Sequence, residues 1–458
     1  MTETPIPRLI TSLAIPTTLS QLITVIYNTA DTYFVSHIST SASAAVGVAF
    51  ALQAIIQAFG FGISMGCSSL VSRRLGQKRD GEAEMYASSA FFGAIALGFM
   101  LLAAGLSCLK PLMRLLGSTE TILPYACDYS RIILIGAPVM CTSFVLNNIL
   151  KAEGEANLSM IGLCAGGVIN IALDPLFIFK LGMGISGAAL ATVISQLISL
   201  VILLLMFRSG RSILKIRLSA VSRKFSTYWE LMKIGFPTIC RQGMASVASA
   251  LLNRGAAVYG GEFADAAVAA VTISNKIYML VRSMMIGIGQ GFQPVAGYNY
   301  GAGRYSRVRK AFWFSVLVGT VISTAAALAI GSNTEAVMHW FRDDPKVVEI
   351  GSRALLYAAV VMPLMAYSTF VNQLYQCLGF SLAASVLASC RQGIFFVPII
   401  LFLPKLIGLE GVKAAQPASD LMTFIVSVPF RRAFFRRVLS RPDTEPEPVG
   451  EEGEEPAL

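Results

Sequence analysis

Long apolar stretches alternate with short polar segments along almost the whole chain. Most stretches hold about twenty or more residues, enough to cross a hydrocarbon core about 30 Å thick at about 1.5 Å per helical residue. The backbone must be helical there, because lipid offers it no hydrogen-bond partners. The pattern therefore predicts an all-α polytopic membrane protein. We predict twelve spans, at residues 9–35, 44–71, 86–108, 122–147, 158–179, 186–207, 229–258, 265–297, 309–331, 350–377, 381–403 and 412–434.

The second half of this pattern repeats the first. Shared Gly, Pro and Ala positions recur at an offset of 225 residues, which becomes 221 near the start of each half and 224 near its end. Corresponding helices are six spans apart and so point the same way, which predicts parallel repeats about an axis along the membrane normal. The matched pairs include Pro16 with Pro237, Gly62 with Gly287, Gly66 with Gly291, Pro138 with Pro363, Gly154 with Gly379, and Gly187 with Gly411.

The repeat divides the chain into two pseudo-symmetric six-helix bundles. We assign residues 1–207 to an amino-terminal lobe and residues 229–435 to a carboxyl-terminal lobe. A basic linker at 208–228 joins them on the cytoplasmic side. The segment 436–458, rich in Pro and Glu, is predicted to be a disordered acidic tail.

Composition supports a membrane protein, with 55% hydrophobic and 14% charged residues, whereas soluble domains have about 25% charged residues. A net charge of +10 could indicate nucleic-acid binding, but here the basic residues lie in alternate loops. The positive-inside rule places these loops, and both termini, in the cytoplasm. We therefore expect a multi-pass protein of the cell inner membrane and no nucleic-acid partner. The richest basic segments are 73–79, 208–233, 304–310 and 431–441, and we assign Lys151 to a loop on the same side.

Two glycine motifs resemble catalytic ones. Residues 62–66 read GISMG and match GxSxG, but a hydrolase needs that motif in a strand-turn-helix with a histidine nearby. Residues 287–291 read GIGQG and lack both the lysine and the preceding strand of a phosphate loop. Close packing between membrane helices explains both motifs better. We therefore predict that the protein is not an enzyme and has no cofactor.

Two acids lie deep inside spans of the first half, Asp31 in helix 1 and Asp174 in helix 5, and the only basic residue within its six spans is Arg131. Acids without a partner in low dielectric must either hold protons or share a bound cation. Asn170, four residues before Asp174, and Thr192 in helix 6 add oxygen ligands that suit a hard cation such as Na⁺. The alternative is a pair of permanently protonated acids that hydrogen-bond to neighbouring helices.

Prolines interrupt the helices that carry these acids. Pro175 removes the helical bond to the carbonyl of Ile171, and Pro16 does the same to Ser12. We predict hinges at Pro16 and Pro175.

The charged residues inside the spans of the second half are mostly basic, the opposite of the first half. Arg241, Lys276, Arg282 and Arg391 lie near mid-depth, and Asp420 is the one clear acid. Two interpretations stay open. The arginines pair with backbone carbonyls and with Asp420, with Arg391 as one guess at its partner, or they bind an anionic substrate directly.

Three segments together resemble the multidrug and toxic compound extrusion (MATE) transporters. They are residues 15–31 (IPTTLSQLITVIYNTAD), 170–192 (NIALDPLFIFKLGMGISGAALAT) and 291–304 (GFQPVAGYNYGAGR). The likeness covers the chain up to about residue 435 and is greatest to the DinF-like and MepA-like branch. It implies two six-helix bundles and cation-driven antiport of amphipathic drugs.

The resemblance also implies roles for individual residues. The ion-coupling cluster, with Na⁺ as a possible ligand, falls on Asp31, Asn170, Asp174 and Thr192. NorM-like members also use carboxylates in helices 7 and 10. Helix 7 offers Arg241 and Gln242 here, and helix 10 offers Asn372 and Gln373, so we expect no ion site in the second lobe. The predicted substrate contacts are Gln21, Tyr27, Asn147, Arg241, Gln242 and Arg391.

These observations predict a secondary active antiporter, a monomer in the bilayer, that works by alternating access. It would export amphipathic, cationic organic compounds in exchange for H⁺ or Na⁺, the coupling ion. The alternative is a flippase for lipid-linked saccharides, or another exporter of anionic substrates, in which the basic residues of the second half line the cavity. A purely structural scaffold would leave Asp31 and Asp174 unexplained.

Overall fold

The structure, a computed structural model, describes residues 1–38 and 40–444 and contains no strand in those ranges. Twelve long helices form two lobes of six. The amino lobe contains α1 (Ile6–Ser36), α2 (Thr40–Gly76), α3 (Asp80–Ser107), α4 (Leu123–Glu153), α5 (Ala156–Pro175) and α6 (Gly184–Arg208). The carboxyl lobe contains α7 (Phe225–Tyr259), α8 (Ala264–Gly301), α9 (Tyr305–Gly331), α10 (Pro345–Cys377), α11 (Ser381–Ile407) and α12 (Leu409–Arg437).

The predicted spans coincide with these helices. Within the described residues, 10 helices are long and apolar enough by composition alone to cross a membrane. The other two are α7 and α12, which carry more charged residues. The described residues include two wide π turns. One, Leu176–Lys180, directly follows α5, and the other, Cys390–Ile394, lies inside α11. Short helices Leu109–Leu115 and Thr334–Phe341 precede α4 and α10 at equivalent positions.

Backbone geometry repeats between the lobes. Gly154 and Gly379 both end a helix in the left-handed region, at φ 97° and 92°. Lys78 at φ 59° and Gly303 at φ 70° occupy matching positions after α2 and α8, and Lys78 is the one described residue other than glycine with positive φ. A left-handed turn after these helices is therefore part of the repeated scaffold, whichever residue fills it.

The lobes meet along an interlobe seam where α1 packs on α8 and α2 packs on α7. A β-carbon built on Gly66 would lie 2.0 Å from the Leu231 carbonyl oxygen, and one on Gly235 would lie 1.9 Å from that of Gly62. Only glycine permits such an approach, which agrees with the packing interpretation of these motifs. The seam glycines that approach backbone of the other lobe are Gly62, Gly66, Gly76, Gly235, Gly287, Gly291 and Gly301.

The seam lies near the face that carries the termini and the basic loops, here named the basic face. Side-chain hydrogen bonds between the lobes fall in the same half of the molecule. Towards the opposite face, Gly243 on α7 has no atom within 4 Å of a built β-carbon. The lobes therefore touch near the basic face and diverge towards the opposite face. The side-chain hydrogen bonds between the lobes include those that join Thr17 to Gly287, Ser69 to Cys377, Arg73 to Leu378, Tyr86 to Glu230, and Lys151 to Gln290.

The connecting segments pack against the lobes. The Glu153 carboxylate accepts hydrogen bonds from the backbone N–H groups of Ile213 and Leu214, at 3.0 and 3.2 Å, and so ties the linker to α4. The linker gives way to α7 at Phe225, slightly before the predicted boundary. Of the predicted tail, Asp443 accepts a bond from the backbone N–H of Ser306 at 2.8 Å, and residues 445–458 lie outside the described residues.

Candidate functional site

The four residues predicted to couple an ion come together in the amino lobe. Asp31 on α1, Asn170 and Asp174 on α5, and Thr192 on α6 are all buried, with Asp174 fully inaccessible. The Asn170 amide nitrogen lies 3.4 Å from Asp174 Oδ1 and 3.5 Å from Thr192 Oγ1. Asp31 is five residues from the end of α1 at the opposite face, so the cluster lies towards that face.

Several oxygens of this cluster have no partner. Asp31 Oδ1, Asn170 Oδ1 and Asp174 Oδ2 are buried and accept no hydrogen bond from any described residue. A buried acceptor without a partner costs about 1–3 kcal/mol, and more when it is charged. Three such acceptors in one place are groups that a proton or a cation would satisfy.

Tyr129 on α4 belongs to the same cluster and was not predicted. Its side chain is fully buried, lies beside Thr192, and is near enough to Asp31 and Asp174 to interact with both electrostatically. The hydroxyl oxygen makes no hydrogen bond of ordinary geometry with the described residues. A tyrosine in an apolar span gives no distinctive signal, because such residues usually fill the core.

Local features of α5 position the cluster. The four-residue spacing places Asn170 and Asp174 on one face of the helix. At Gly167 a built β-carbon would lie 3.0 Å from Ile23 and 3.1 Å from Tyr27, so the missing side chain lets α1 approach α5. After Pro175 the helix widens into the π turn Leu176–Lys180, as expected where a proline removes a helical bond. Arg131 is exposed and does not neutralise the acids.

A cavity with an empty volume of about 680 Å³ lies in the amino lobe and includes three of the predicted substrate contacts, Gln21, Tyr27 and Asn147. Its wall is mostly amide, hydroxyl and aromatic. Tyr27 connects this cavity to the cluster, because it lies one helical turn before Asp31 on the same face of α1.

Asn147 also has a structural role. Its amide donates to the Ser159 carbonyl at 2.9 Å and so joins α4 to α5. Asn372, at the equivalent position in the carboxyl lobe, donates to the Ala384 carbonyl at 2.7 Å and joins α10 to α11. Both bonds span twelve residues and repeat at the offset of 225, which ties Asn147 to the scaffold.

Lys151 lies in a different place from the one its sequence context suggests. The sequence predicts a basic loop residue, but Lys151 is buried in α4, where it lines the amino-lobe cavity. Its ammonium donates to Gln290 Oε1 on α8 at 2.9 Å, across the interlobe seam. The bond forms because the end of α4 packs against the other lobe, and this packing cannot be inferred from charge counting.

The predicted hinge at Pro16 lies beside the interlobe seam. The helix α1 runs through Pro16 without a break. Next to it, the Thr17 hydroxyl donates to the Gly287 carbonyl of the other lobe at 2.7 Å. One helix therefore carries both the acid Asp31 and a direct contact with the carboxyl lobe.

In the carboxyl lobe, the guess that Arg391 pairs with Asp420 is confirmed. Arg391 Nε donates to Asp420 Oδ1 at 2.6 Å. Gln416 donates to the same oxygen at 3.2 Å, and the Tyr278 hydroxyl donates to the second carboxylate oxygen. The only acid near mid-depth in this lobe is thus already fully bonded.

Two other arginines form no ion pair with an acid among the described residues. Arg241 and Arg282 line a carboxyl-lobe cavity of about 450 Å³ together with Arg391. Arg282 donates to Gln392 at 3.2 Å, while Nε of Arg241 is buried and has no hydrogen-bond partner among the described residues. Gln242 is half-buried and is not among the residues that line this cavity, and Lys276 is exposed.

Comparison with known proteins agrees with this architecture. The MatE family model matches residues 16–176 and 256–402, which is more than half of the chain. The multidrug export protein MepA of Staphylococcus aureus (strain bovine RF122 / ET3-1) is 25% identical over 413 residues, and the match covers 90% of each chain. MepA of Staphylococcus haemolyticus (strain JCSC1435) is 25% identical over 411 residues, again with 90% of each chain covered.

Solved structures share the fold. An outward-facing multidrug resistance MATE family transporter of the MOP superfamily superposes with a TM-score of 0.90 at 25% identity, over 96% of this chain and 98% of that one. The bent conformation of a MATE protein gives 0.88 at 25% identity, over 95% and 98% of the two chains. A MOP superfamily transporter from Pyrococcus furiosus, described as having a binding pocket of reverse polarity, gives 0.90 at 25% identity, over 96% and 98%. The chain belongs to the MatE family and is a multi-pass membrane transporter of two six-helix lobes, not an enzyme.

Proposed function

We propose that this protein is a secondary active antiporter that exports amphipathic organic compounds, cationic ones among them, in exchange for H⁺ or Na⁺. The observation that carries the proposal is the buried amino-lobe cluster, in which Asp31, Asn170 and Asp174 each keep an acceptor oxygen that no described residue bonds. The names of the relatives support export of several drugs, since MepA is called a multidrug export protein.

The donor set suits either coupling ion. Two carboxylates can take up protons, and together with the amide oxygen of Asn170 and the hydroxyl of Thr192 they offer the hard oxygen ligands that Na⁺ prefers. Two carboxylates that share one site titrate as a coupled pair. Either ion would satisfy the acceptors that are otherwise left without partners.

The helix α1 provides the link between the ion and the rest of the transporter. Asp31 and the Thr17 contact with Gly287 are 14 residues apart on it, or about 21 Å at 1.5 Å per residue. An ion that draws Asp31 towards Asp174 would shift or bend α1, and Pro16 next to Thr17 weakens the helix where it meets the carboxyl lobe. Ion binding would thereby loosen the interlobe seam or move the wall of the amino-lobe cavity.

The basic face is proposed to be cytoplasmic, with both termini there and the protein in the cell inner membrane. The lobes touch near this face and diverge on the other, so the space between the lobes would be open to the outside. Alternating access would then require the seam to open. A structural relative in an outward-facing state supports this assignment.

The available driving force limits what can be carried. One charge that crosses 100 mV yields about 2.3 kcal/mol, and a tenfold ion gradient adds about 1.4 kcal/mol. When a monovalent cation leaves in exchange for one H⁺ or Na⁺, the electrical contribution cancels and only the concentration gradient remains. Steep export of such a compound would need a second ion.

Ethidium efflux from pump-deficient cells tests the proposal. Loaded cells that express the protein would receive either a proton or a Na⁺ gradient, and the effective gradient identifies the ion. Asp31→Asn and Asp174→Asn are expected to abolish the gradient-dependent part of efflux, because an amide does not exchange a proton or carry the charge that attracts a cation.

Asp128→Asn is the matched control. Asp128 is exposed on α4, next to Tyr129, so its loss changes the charge of the same lobe without touching the cluster. This variant should keep wild-type efflux. Efflux that persists unchanged in Asp174→Asn under the same gradient would rule out the cluster as the coupling site.

A further inference from the structure

The carboxyl-lobe cavity is lined by three guanidinium groups, from Arg241 on α7, Arg282 on α8 and Arg391 on α11. All three are close enough to act on one another electrostatically. We propose that this cavity binds the anionic group, a carboxylate or sulfonate, of an amphipathic organic substrate, with Arg241 and Arg282 as its ligands. This inference rests on the proposed export function and adds a substrate class to it.

The carboxyl-lobe cavity has more arginines than acids to pair with them, so it carries an excess of positive charge. Asp420 neutralises Arg391 through the 2.6 Å contact, and no other ion pair involves a residue of this cavity within 1–38 and 40–444. Arg241 and Arg282 therefore hold two positive charges that form no ion pair with a carboxylate of the described residues. Two like charges at close range inside a membrane protein are costly unless a counter-charge reaches them.

The hydrogen bonds indicate the same pair of ligands. Arg282 is 7% exposed and has a single side-chain acceptor, the neutral oxygen of Gln392 at 3.2 Å. Nε of Arg241 is buried and has no acceptor in the described part of the chain. A guanidinium offers five N–H donors in a planar fork that matches a carboxylate or sulfonate. Most of these donors are still available to a ligand.

The rest of the wall indicates what is attached to the anionic group. Ile286, Leu387 and Ala388 line the same cavity and provide an apolar surface beside the arginines. The amide of Asn372 is already bonded to the Ala384 carbonyl and adds no competing donor. An organic body with one acidic substituent fits this combination better than a small inorganic anion does.

Paired dansyl probes test the assignment. The purified protein in phosphatidylcholine nanodiscs would be titrated with dansylglycine, which carries a carboxylate, and with dansylamide, which is neutral and has the same fluorophore. Wild type is expected to bind dansylglycine about tenfold more tightly. Arg241→Gln and Arg282→Gln should each remove that preference while dansylamide binding stays, and Arg241→Lys should keep part of it.

Lys276→Gln is the charge-matched control, because Lys276 is an exposed cation on the same helix as Arg282. It should leave both affinities unchanged. Equal affinity for the two probes in wild type, or the same preference in the Arg→Gln variants, would overturn the proposal. Displacement of dansylglycine by phosphatidylglycerol would assign the arginines to a lipid phosphate and overturn the assignment to an exported compound. No ion gradient enters this measurement, so its result is independent of ethidium efflux.

Discussion

The two lobes share a backbone scaffold but differ in the charge of their interiors. Asn147 and Asn372 make the same bond between helices, to the carbonyls of Ser159 and Ala384. The chemistry around them is opposite. The amino lobe buries Asp31 and Asp174, which form no ion pair within the described residues, whereas three arginines line the carboxyl-lobe cavity and one of them, Arg391, pairs with Asp420.

This difference separates what the fold requires from what transport requires. The bonds of Asn147 and Asn372 to backbone carbonyls are the same in both lobes, because they hold helices at a fixed distance whatever the substrate is. Charged side chains differ, and we propose that they do so because each lobe binds something different. In the proposed division, the amino lobe takes the coupling ion and the carboxyl lobe takes the anionic part of a substrate.

The largest expected difference between the lobes is in stability. Asp420→Asn leaves the Arg391 guanidinium buried without its counter-charge, so we expect a loss of about 3 kcal/mol in the free energy of unfolding. Asp31→Asn removes an acid that has no counter-charge to lose, and we expect no loss of stability. Chemical unfolding in detergent measures both. Equal losses in the two variants would contradict the charge contrast.

The interlobe seam should respond strongly to added volume. The β-carbon of Gly66→Ala would meet the Leu231 carbonyl oxygen, and overpacking of this kind costs about 1–3 kcal/mol. The added methyl group destabilises only the conformation in which the lobes touch near the basic face. The basic-face ends of α2 and α7 should therefore open more often, and their amide hydrogen exchange should rise by about fivefold or more. Gly243→Ala adds the same methyl group where a β-carbon has open space, and should leave exchange unchanged.

The hydrogen bonds of Asn147 to Ser159 and of Asn372 to Ala384 should contribute about the same free energy of unfolding. Asn147→Ala and Asn372→Ala each free a buried carbonyl, which costs about 1–2 kcal/mol. Thermal unfolding of both variants checks this equality. If Asn147→Ala left stability intact and changed only the affinity for exported drugs, Asn147 would be a substrate contact, as the sequence predicts, and its bond to Ser159 would be incidental.

The smallest expected effect concerns the left-handed turns. Lys78 adopts φ 59° where the other lobe has Gly303. A left-handed residue other than glycine costs about 1–2 kcal/mol, partly offset by the backbone entropy that a glycine loses on folding. Lys78→Gly is therefore expected to raise the free energy of unfolding by roughly 0.5 kcal/mol. A decrease in stability would mean that the Lys78 side chain contributes more than its backbone strain costs.

The fold was largely predictable, because length and apolar character decide which segments can cross lipid. All twelve spans fall on helices, including α7 and α12, which are less apolar than the other ten. Their apolar stretches were still long enough to predict both spans. The partners of the seam glycines could not be predicted, because the sequence does not show how two lobes are docked.

The site was only partly predictable. Asp31 and Asp174 were identifiable because isolated acids in apolar spans are costly, and four-residue spacing added Asn170. Tyr129 was missed because a buried tyrosine resembles ordinary core. Lys151 was placed in a loop because its position at a helix end looks the same in sequence whether the end meets water or another lobe.

The central claim is that the amino-lobe acids bind the coupling ion, and ethidium affinity measured across proton and Na⁺ concentration tests it most directly. Purified wild type should bind ethidium more weakly as the coupling ion rises, because ion and substrate exclude each other. In the Asp31→Asn, Asp174→Asn double variant, the affinity should be independent of both ions, whatever its strength. A double variant that keeps the wild-type ion dependence would contradict the account.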